Sequence, residues 1–404
     1  MSPVSTARQA RSVPATTDLD DLGLDSGGHL LLERALAGIE PGDVVEVRGR
    51  HPALPIHLAA WCRSHGHRFD EQPQALFVVK GTAERDRWSG AVRAGSAAGP
   101  PEEHAQARWG LAARGALVEL GGPPIASDLA DRDLVWAEAA PRLYAAACAS
   151  QWDPATAVDW NAPTGLAPDI EAAVVQLMTY LVENEQAALL IPARLLARVH
   201  PHFREVLQLL AIQAADEARH IEVFTRRAQL GGGEMGVSGA GGRASLDTLL
   251  SEHDFTLAGF LLSVLGEGTF LDLLRFLNRY APDPITRDVC RLALSDESRH
   301  VAFGVAHTAH AVVADPALLA RLRAAVERRH SVLLNTAGLN KNVFDALVIL
   351  AAGAWTPGAL RSGWAAVVEL QAQMDEGRRR RLARIGFPDD EAAEISALHT
   401  RNFM

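Results

Sequence analysis

Apolar residues recur at spacings of three and four along four long stretches, roughly 168–198, 203–229, 245–281 and 284–313. That period predicts helices that each bury one face. The breaks agree with it. Pro201 in RVHPHF separates the first two stretches, the glycine-rich GGGEMGVSGAGG at 231–242 separates the second and third, and Pro282 with Pro284 ends the third. Proline and glycine runs stop helices. Two helix pairs joined by a flexible crossover predict a four-helix bundle. Further helices are expected at about 315–336, 341–352, 357–385 and 389–402, where they would pad the bundle.

The N-terminal fifth of the chain reads differently. DLDDLGL, HLLLERALAGI, GDVVEVRG, PIHLAAWCRSHG and ALFVVKG alternate short β-like runs with helical ones, and the Pro-Gly pair in IEPGDVVEV marks a turn from helix into strand. The expected organisation is a loose tail over 1–17, a small α/β domain over 18–82, a Gly-, Ala- and Pro-rich linker over 83–130 with one strand in GALVELGG, and a helical domain over 131–404. The fold class is therefore mainly α, preceded by a small α/β domain.

Composition narrows the function. A chain of 404 residues with 48% apolar residues can bury a large core. Its net charge of −10 argues against nucleic acid as a partner. Nearly all the positive charge is arginine, Lys80 and Lys341 being the only lysines, and the basic run Arg378–Arg381 falls in a helical pattern and reads as a solvated face. Cys62, Cys148 and Cys290 are far apart and odd in number, which excludes a disulfide framework and suits a reducing cytoplasm. The first twenty residues lack the apolar core of a signal peptide. The most apolar stretches, Leu257–Leu265 and Ala346–Trp355, read as too short to cross a membrane.

The chemistry lies in a repeat. Asp216-Glu217-Ala218-Arg219-His220 recurs as Asp296-Glu297-Ser298-Arg299-His300, each in the middle of a periodic helix. Glu and His three residues apart leave one helical face together, so both can reach one metal cluster. The helix before each motif adds an acid in an apolar context, Glu185 in LVENEQAALL and Glu267 in SVLGEGTFL. Four carboxylates and two imidazoles suit a pair of iron or manganese ions rather than a structural zinc. Glu183 is the alternative to Glu185 as first ligand, since the two cannot share a face; the small residues after Glu185 favour it.

The flanking residues have a physical role as well. A ligating imidazole normally donates its second N–H to a carboxylate, and Asp216 and Asp296 are placed to accept from the His of the opposite helix. Arg219 and Arg299 would then neutralise those buried aspartates. The full D-E-x-R-H pattern is expected roughly 0.005 times in a chain of this composition. A bare Glu-x-x-His is expected about once, and Glu327-Arg328-Arg329-His330, which lacks the preceding Asp, reads as surface decoration. His200, His202, His307 and His310 read as structural or solvated, with His307 a candidate to line a substrate channel.

At these residues the chain resembles the ferritin-like, carboxylate-bridged di-iron proteins. Its nearest local resemblance is to the hydroxylase subunits of bacterial multicomponent monooxygenases. NEQAA is similar to their first-ligand segment, GEGTFLDLL to the third, and DEARH and DESRH to the second and fourth, so that the likeness covers about 170–312. The resemblance implies a ferritin-like bundle in which two iron ions, or iron with manganese, are held by Glu185, Glu217, His220, Glu267, Glu297 and His300. It also implies activation of dioxygen against a small organic substrate, specialised metabolism being one setting. Where the hydroxylases carry Thr one turn after the third-helix Glu, this chain has Leu271, with Thr269 on another face; where N-oxygenases carry an extra His, it has Ala293. Tyr180, near Glu183, reads as packing.

The N-terminal segment resembles TusA-type sulfur carriers, small βαβαββ domains, through LDDLGL, IEPGDVVEVRG, AAWCRSHGHRF and ALFVVKG. Ser26-Gly27-Gly28-His29 stands where those carriers hold their reactive Cys. Without a thiolate there is no persulfide chemistry, so a docking role is expected, and Cys62 reads as a core residue.

The expected activity is an O2-dependent, monooxygenase-like oxidoreductase. No flavin, NAD or iron–sulfur motif is present, so an external electron donor or reductase is implied. The alternative is a ferroxidase or iron-handling protein without an organic substrate. A membrane partner is not expected, and the assembly is left open, a homodimer being one option.

Overall fold

A computed structural model describes residues 15–333 and 341–400. Most of the expected tail, the end of the helix expected to 336 and the last residues of the helix expected to 402 lie outside the described residues. The chain divides into two compact units, 1–93 with 116–123 and 94–115 with 124–404.

The first unit has the order βαβαββ: β1 Ala15–Asp18, α1 Gly28–Ala37, β2 Val44–Arg48, α2 Leu54–His65, β3 Arg68–Gln72 and β4 Ala75–Val79, with a single turn, α3 Ala83–Arg87, after them. The sheet order is β1-β2-β4-β3, with β1 parallel to β2 and the other pairs antiparallel. Alternation in β2 turns Val45 and Val47 inward, where they meet Leu32 and Leu36 of α1 and Leu54, Leu58 and Cys62 of α2 in one core. The first strand is earlier than expected. It covers Ala15–Asp18, whereas Leu24–Ser26 is a 3₁₀ turn, because the acidic, Gly-containing DLDDLGL turns the chain instead of extending it. Val92–Arg93 (β5) pairs with Leu117–Val118 (β6). Within the second unit, His104 bridges to Asp131 and Leu129 to Val199.

The second unit is helical. After α4 Ala140–Ala149 come the two long helices α5 Pro168–Leu196 and α6 Arg204–Gln229, then α7 Ala240–Leu250, α8 Phe255–Gly259, a π-helical segment Phe260–Glu267, α9 Gly268–Tyr280 and α10 Pro284–Ala314. The outer helices are α11 Leu318–Leu333, α12 Lys341–Ala352, α13 Pro357–Ile385 and α14 Asp389–Thr400. Pro168 and Pro284 open their helices, where a missing N–H costs nothing. Asp283 caps α10, accepting from Thr286 N at 2.8 Å. Leu177, Leu181, Val223, Phe224, Leu274, Leu277, Val289 and Ala293 close the core where α5, α6, α9 and α10 meet.

Two expectations are corrected here. The run Phe255–Tyr280 is continuous over 26 residues and apolar enough to cross a membrane, longer than the stretch read from the sequence, but 78% of its most apolar 18-residue window is buried inside the fold. The basic run on α13 is not a solvated face throughout. Arg378 is 1% exposed and donates to Ser396 Oγ and Thr269 Oγ1, and Arg381 donates to Val264 O at 2.8 Å. Both guanidinium groups tie α13 to the segment around Glu267, while Arg379 and Arg380 face solvent.

Candidate metal centre

The four bundle helices bring all six expected side chains to one place. Glu185 of α5, Glu217 and His220 of α6, Glu267 at the end of the π segment, and Glu297 and His300 of α10 are all buried. Their ligand atoms form two groups. Glu185, Glu217, His220 and Glu297 offer atoms within 4.8 Å of one another, and Glu217, Glu267, Glu297 and His300 do the same. Glu217 and Glu297 belong to both groups. Glu183, two residues from Glu185, is half-buried and outside them.

The π-helical turn has a local consequence. An inserted residue rotates the next turn of the helix, a device that recurs at functional sites, and here it delivers Glu267 into the cluster from a stretch, FLLSVLGE, that is apolar but for Ser263.

Each imidazole has two faces. His220 Nδ1 lies 3.1 Å from Glu217 Oε2, 3.4 Å from Glu297 Oε1 and 3.7 Å from Glu185 Oε2. Its Nε2 lies 3.2 Å from Asp296 Oδ2. His300 repeats the arrangement, with Nε2 3.1 Å from Asp216 Oδ2 and Nδ1 2.9 Å from Glu217 Oε1. The last contact is close, yet neither His300 Nδ1 nor Glu217 Oε1 has a hydrogen-bond partner.

The aspartates are closed by their own partners. Arg219 pairs with Asp216 and reaches Asp296 at 3.3 Å, and Arg299 pairs with Asp296 and reaches Asp216 at 3.6 Å. Two residues unforeseen from the sequence complete the network. Gln151 Nε2 donates to Asp216 Oδ1 at 3.1 Å, and Trp152 Nε1 donates to Asp296 Oδ2 at 2.8 Å. Both stand in a non-periodic loop after α4, where no spacing announces them. Gln213 Nε2 likewise donates to Glu267 Oε1 at 3.2 Å.

The carboxylates show what is missing. Glu185 Oε1, Glu217 Oε1, Glu267 Oε2 and both oxygens of Glu297 are buried without a donor, a costly state for acceptors out of water. Burial and the neighbouring carboxylates of Glu217 and Glu297 push the Glu185 and Glu267 carboxyls well above their ordinary range. Although burial opposes it, the surrounding acids hold His220 and His300 well above the usual imidazole value. Protons thus stand in for positive charge that the cluster lacks. Divalent cations would meet every one of these unmet oxygens and the two Nδ1 atoms. The chain holds a site for two metal ions.

Known proteins add little to that geometry. No family model matches the chain, and no curated protein matches it. Among solved structures it is similar to an R2-like ligand-binding oxidase with aerobically reconstituted Mn/Fe cofactor (long soak), at 16% identity over 66% of this chain and 93% of that one, with a TM-score of 0.38. It is similar also to an R2-like ligand-binding oxidase with aerobically reconstituted metal cofactor after photoconversion, at 17% identity over 65% of this chain and 90% of that one, again with a TM-score of 0.38. The functional reading rests on the side chains themselves.

Beside the cluster lies a small cavity of about 30 Å³, walled by Ala188, Leu246, Leu249, Leu262 and Phe270 and touching Glu185, Glu267 and Glu297. Tyr180 packs against Phe270, ring centroids 5.8 Å apart, within the core. His307 is buried, with Nδ1 2.9 Å from Trp136 O and Nε2 2.9 Å from Thr256 Oγ1, and borders a smaller cavity with Gln213 and Ser263. Glu327, of the isolated Glu-x-x-His, pairs with Arg323 on the outer face of α11.

Proposed function

We propose that the chain is an oxygen-dependent, non-haem di-iron oxidoreductase, an oxygenase or oxidase, acting on a small organic substrate. The observation that carries this is the sharing of Glu217 and Glu297 between two ligand groups. Glu217 and Glu297 would serve both ions of a metal pair, while Glu185 and His220 would help to hold one and Glu267 and His300 the other. Bound there, two iron ions, or iron with manganese, supply the redox chemistry of dioxygen reduction.

The protein's own contribution lies in its contacts. Asp296 and Asp216 accept the Nε2–H of His220 and His300, which fixes each tautomer and turns Nδ1 inward. Arg219, Arg299, Gln151 and Trp152 keep those aspartates ionised and in place. Leu262, Phe270 and Ala188 make the neighbouring cavity apolar, so water is kept from the reacting side of the cluster. Electrons come from an external donor. The N-terminal unit serves docking, since Ser26 offers no thiol and its Oγ donates to Gly23 O. The cytoplasm, where its three free cysteines stay reduced, is the proposed compartment.

Anaerobic loading with Fe(II), a count of bound metal, and stopped-flow spectroscopy on exposure to oxygen test this reading together. Two irons per chain and an oxygen-dependent optical transient are expected. Iron uptake far beyond two per chain would instead support a ferroxidase or storage role, and no metal uptake at all would leave a binding scaffold.

A further inference from the structure

We propose that a second cavity, between α4, α9, α10 and α13, binds a small phosphate-bearing molecule through arginines from three of those helices. It measures about 600 Å³, within the range that small-molecule sites take. Helix α10 lines it with Ser298, Val301, Ala302, Val305 and Ala306, which are small or apolar. Arg142 of α4, Arg275 of α9, and Arg380, Arg381 and Arg384 of α13 line it as well. Among the described residues, five guanidinium groups thus meet one carboxylate, Asp272, in a chain whose net charge is −10.

Two of these arginines are held only loosely. Arg275 donates to Asp272 Oδ1 at 2.8 Å and Arg380 reaches Glu376 at 3.7 Å, each with more than half of its side chain exposed. Exposed ion pairs hold little free energy, so a more highly charged anion displaces them. Arg381 is the fixed member. Its Nε donates to Val264 O at 2.8 Å, and it lies against two glycines: a Cβ on Gly268 would stand 2.8 Å from Nη2, and one on Gly377 3.1 Å from Nη1. Burial pulls its guanidinium down to about 10; Asp272 opposes this, while Arg380 and Arg275 add to it. Positive charge is therefore crowded here. Phosphate suits such an array, since it carries about two negative charges and three acceptor oxygens and takes guanidinium groups in forked contacts along more than one edge. A concave site favours a small molecule over a protein surface, and the apolar side of α10 fits the rest of that molecule. None of the six side chains of the metal centre lines this cavity, so its ligand is held apart from the cluster. The site stands whether or not the centre is di-iron.

The test titrates the full, metal-free chain by calorimetry at low salt, so that phosphate cannot draw iron from the centre. The probes are inorganic pyrophosphate, ADP and ATP, with adenosine as the uncharged control. At least one phosphate is expected to bind, adenosine being weaker by roughly 30-fold or more, and its affinity should fall as NaCl rises from about 50 to about 300 mM. Arg380→Gln and Arg384→Gln should each weaken binding by about 10-fold or more, and Ala302→Trp, which fills the cavity, should abolish it. Arg379→Gln takes the same charge from the same helix but outside the cavity, where Arg379 pairs with Asp375; it should change binding by no more than about 2-fold. All four variants should keep the circular dichroism of the parent. Failure of every phosphate to bind would overturn the proposal. A loss with Arg379→Gln equal to that with Arg384→Gln would overturn it too, reducing the array to a diffuse field on a solvated face. So would binding of a short poly-glutamate peptide in place of the phosphates, which would make the cavity a contact for an acidic protein.

Discussion

His220 on α6 hands its Nε2 to Asp296 on α10, 3.2 Å away. The two belong to different motifs, so each D-E-x-R-H segment supplies the acid that orients the other segment's imidazole. The exchange makes the two halves of the centre interdependent. An aspartate lost from one helix should be felt at the metal position whose histidine lies on the other.

Asp296→Asn should therefore weaken metal binding by about 10- to 100-fold, and more at the position served by His220 than at the one served by His300. The amide oxygen can still accept from Nε2, but it no longer balances Arg299 and Arg219. Titration with Fe(II) or Mn(II) against a competing chelator measures both steps. An unchanged first and second affinity would show that the aspartate does not orient the ligand.

Glu267→Gln should pull function and stability in opposite directions. In the metal-free protein this carboxyl is buried beside Glu297 and Glu217, with one oxygen unmet. Burial and those acids keep the carboxyl protonated well above its ordinary range, at a cost in stability; a neutral amide avoids that cost, and a gain of about 1–2 kcal/mol in urea unfolding of the metal-free chain is expected. Bound metal should drop to one ion per chain. A variant that loses stability without metal would show that the cluster is not strained by its own charge.

The six converging side chains were legible because spacing carries them: Glu217 with His220 and Glu297 with His300 sit three apart in strongly periodic helices, and the small residues after Glu185, which joins the group while Glu183 does not, had favoured it. What spacing does not encode stayed hidden. The π-helical turn before Glu267 lies in a stretch apolar on every face, so a shift in helical phase leaves no mark on the pattern. Gln151 and Trp152 act from a loop without period. Arg329 sits inside an isolated Glu-x-x-His that read as surface decoration, and Arg378 inside a basic run that read as solvated, because burial of a single long cation depends on which neighbours meet it and not on its own sequence context. Helix bounds transferred well except in the third stretch, expected as one helix over 245–281 and found as α7 Ala240–Leu250 and a separate run from Phe255 to Tyr280, and the first strand was misplaced by several residues since its four positions carry little alternation.

Gly304 and Gly259 give a paired test of how the π segment is seated. A Cβ on Gly304 would stand 2.5 Å from Ser263 Cβ, which cannot swing aside, whereas a Cβ on Gly259 meets nothing within 4 Å. Gly304→Ala should cost about 1–3 kcal/mol through overpacking and loosen metal binding by displacing the segment that ends in Glu267. Gly259→Ala should be neutral or slightly stabilising, since glycine is a poor helix residue. Thermal unfolding and metal titration of both variants decide it; equal melting temperatures would mean that α10 and the π segment do not meet as closely as described.

His307 should impose a dependence of stability on pH that is separable from the centre. Its Nδ1–H donates to Trp136 O and its Nε2 accepts from Thr256, which describes a neutral ring. Burial lowers its folded-state pKa to about 4 from the ordinary 6.5. Between those values the unfolded chain binds a proton that the folded chain refuses, so stability falls as the solution is acidified through this window and is unaffected above it. At about 1.4 kcal/mol per pKa unit the full loss is about 3 kcal/mol by pH 4. His307→Gln keeps a donor and an acceptor but cannot take up the proton. Urea unfolding of the metal-free parent and variant from pH 7.5 to 4 should give curves that converge on acidification, the parent losing about 3 kcal/mol more than the variant; carboxylate titration is common to both and cancels in the difference. Parallel curves across that range would mean that His307 takes up its proton in the folded protein as readily as in the unfolded chain, and that its burial and its bonds to Trp136 and Thr256 do not exclude the charged ring.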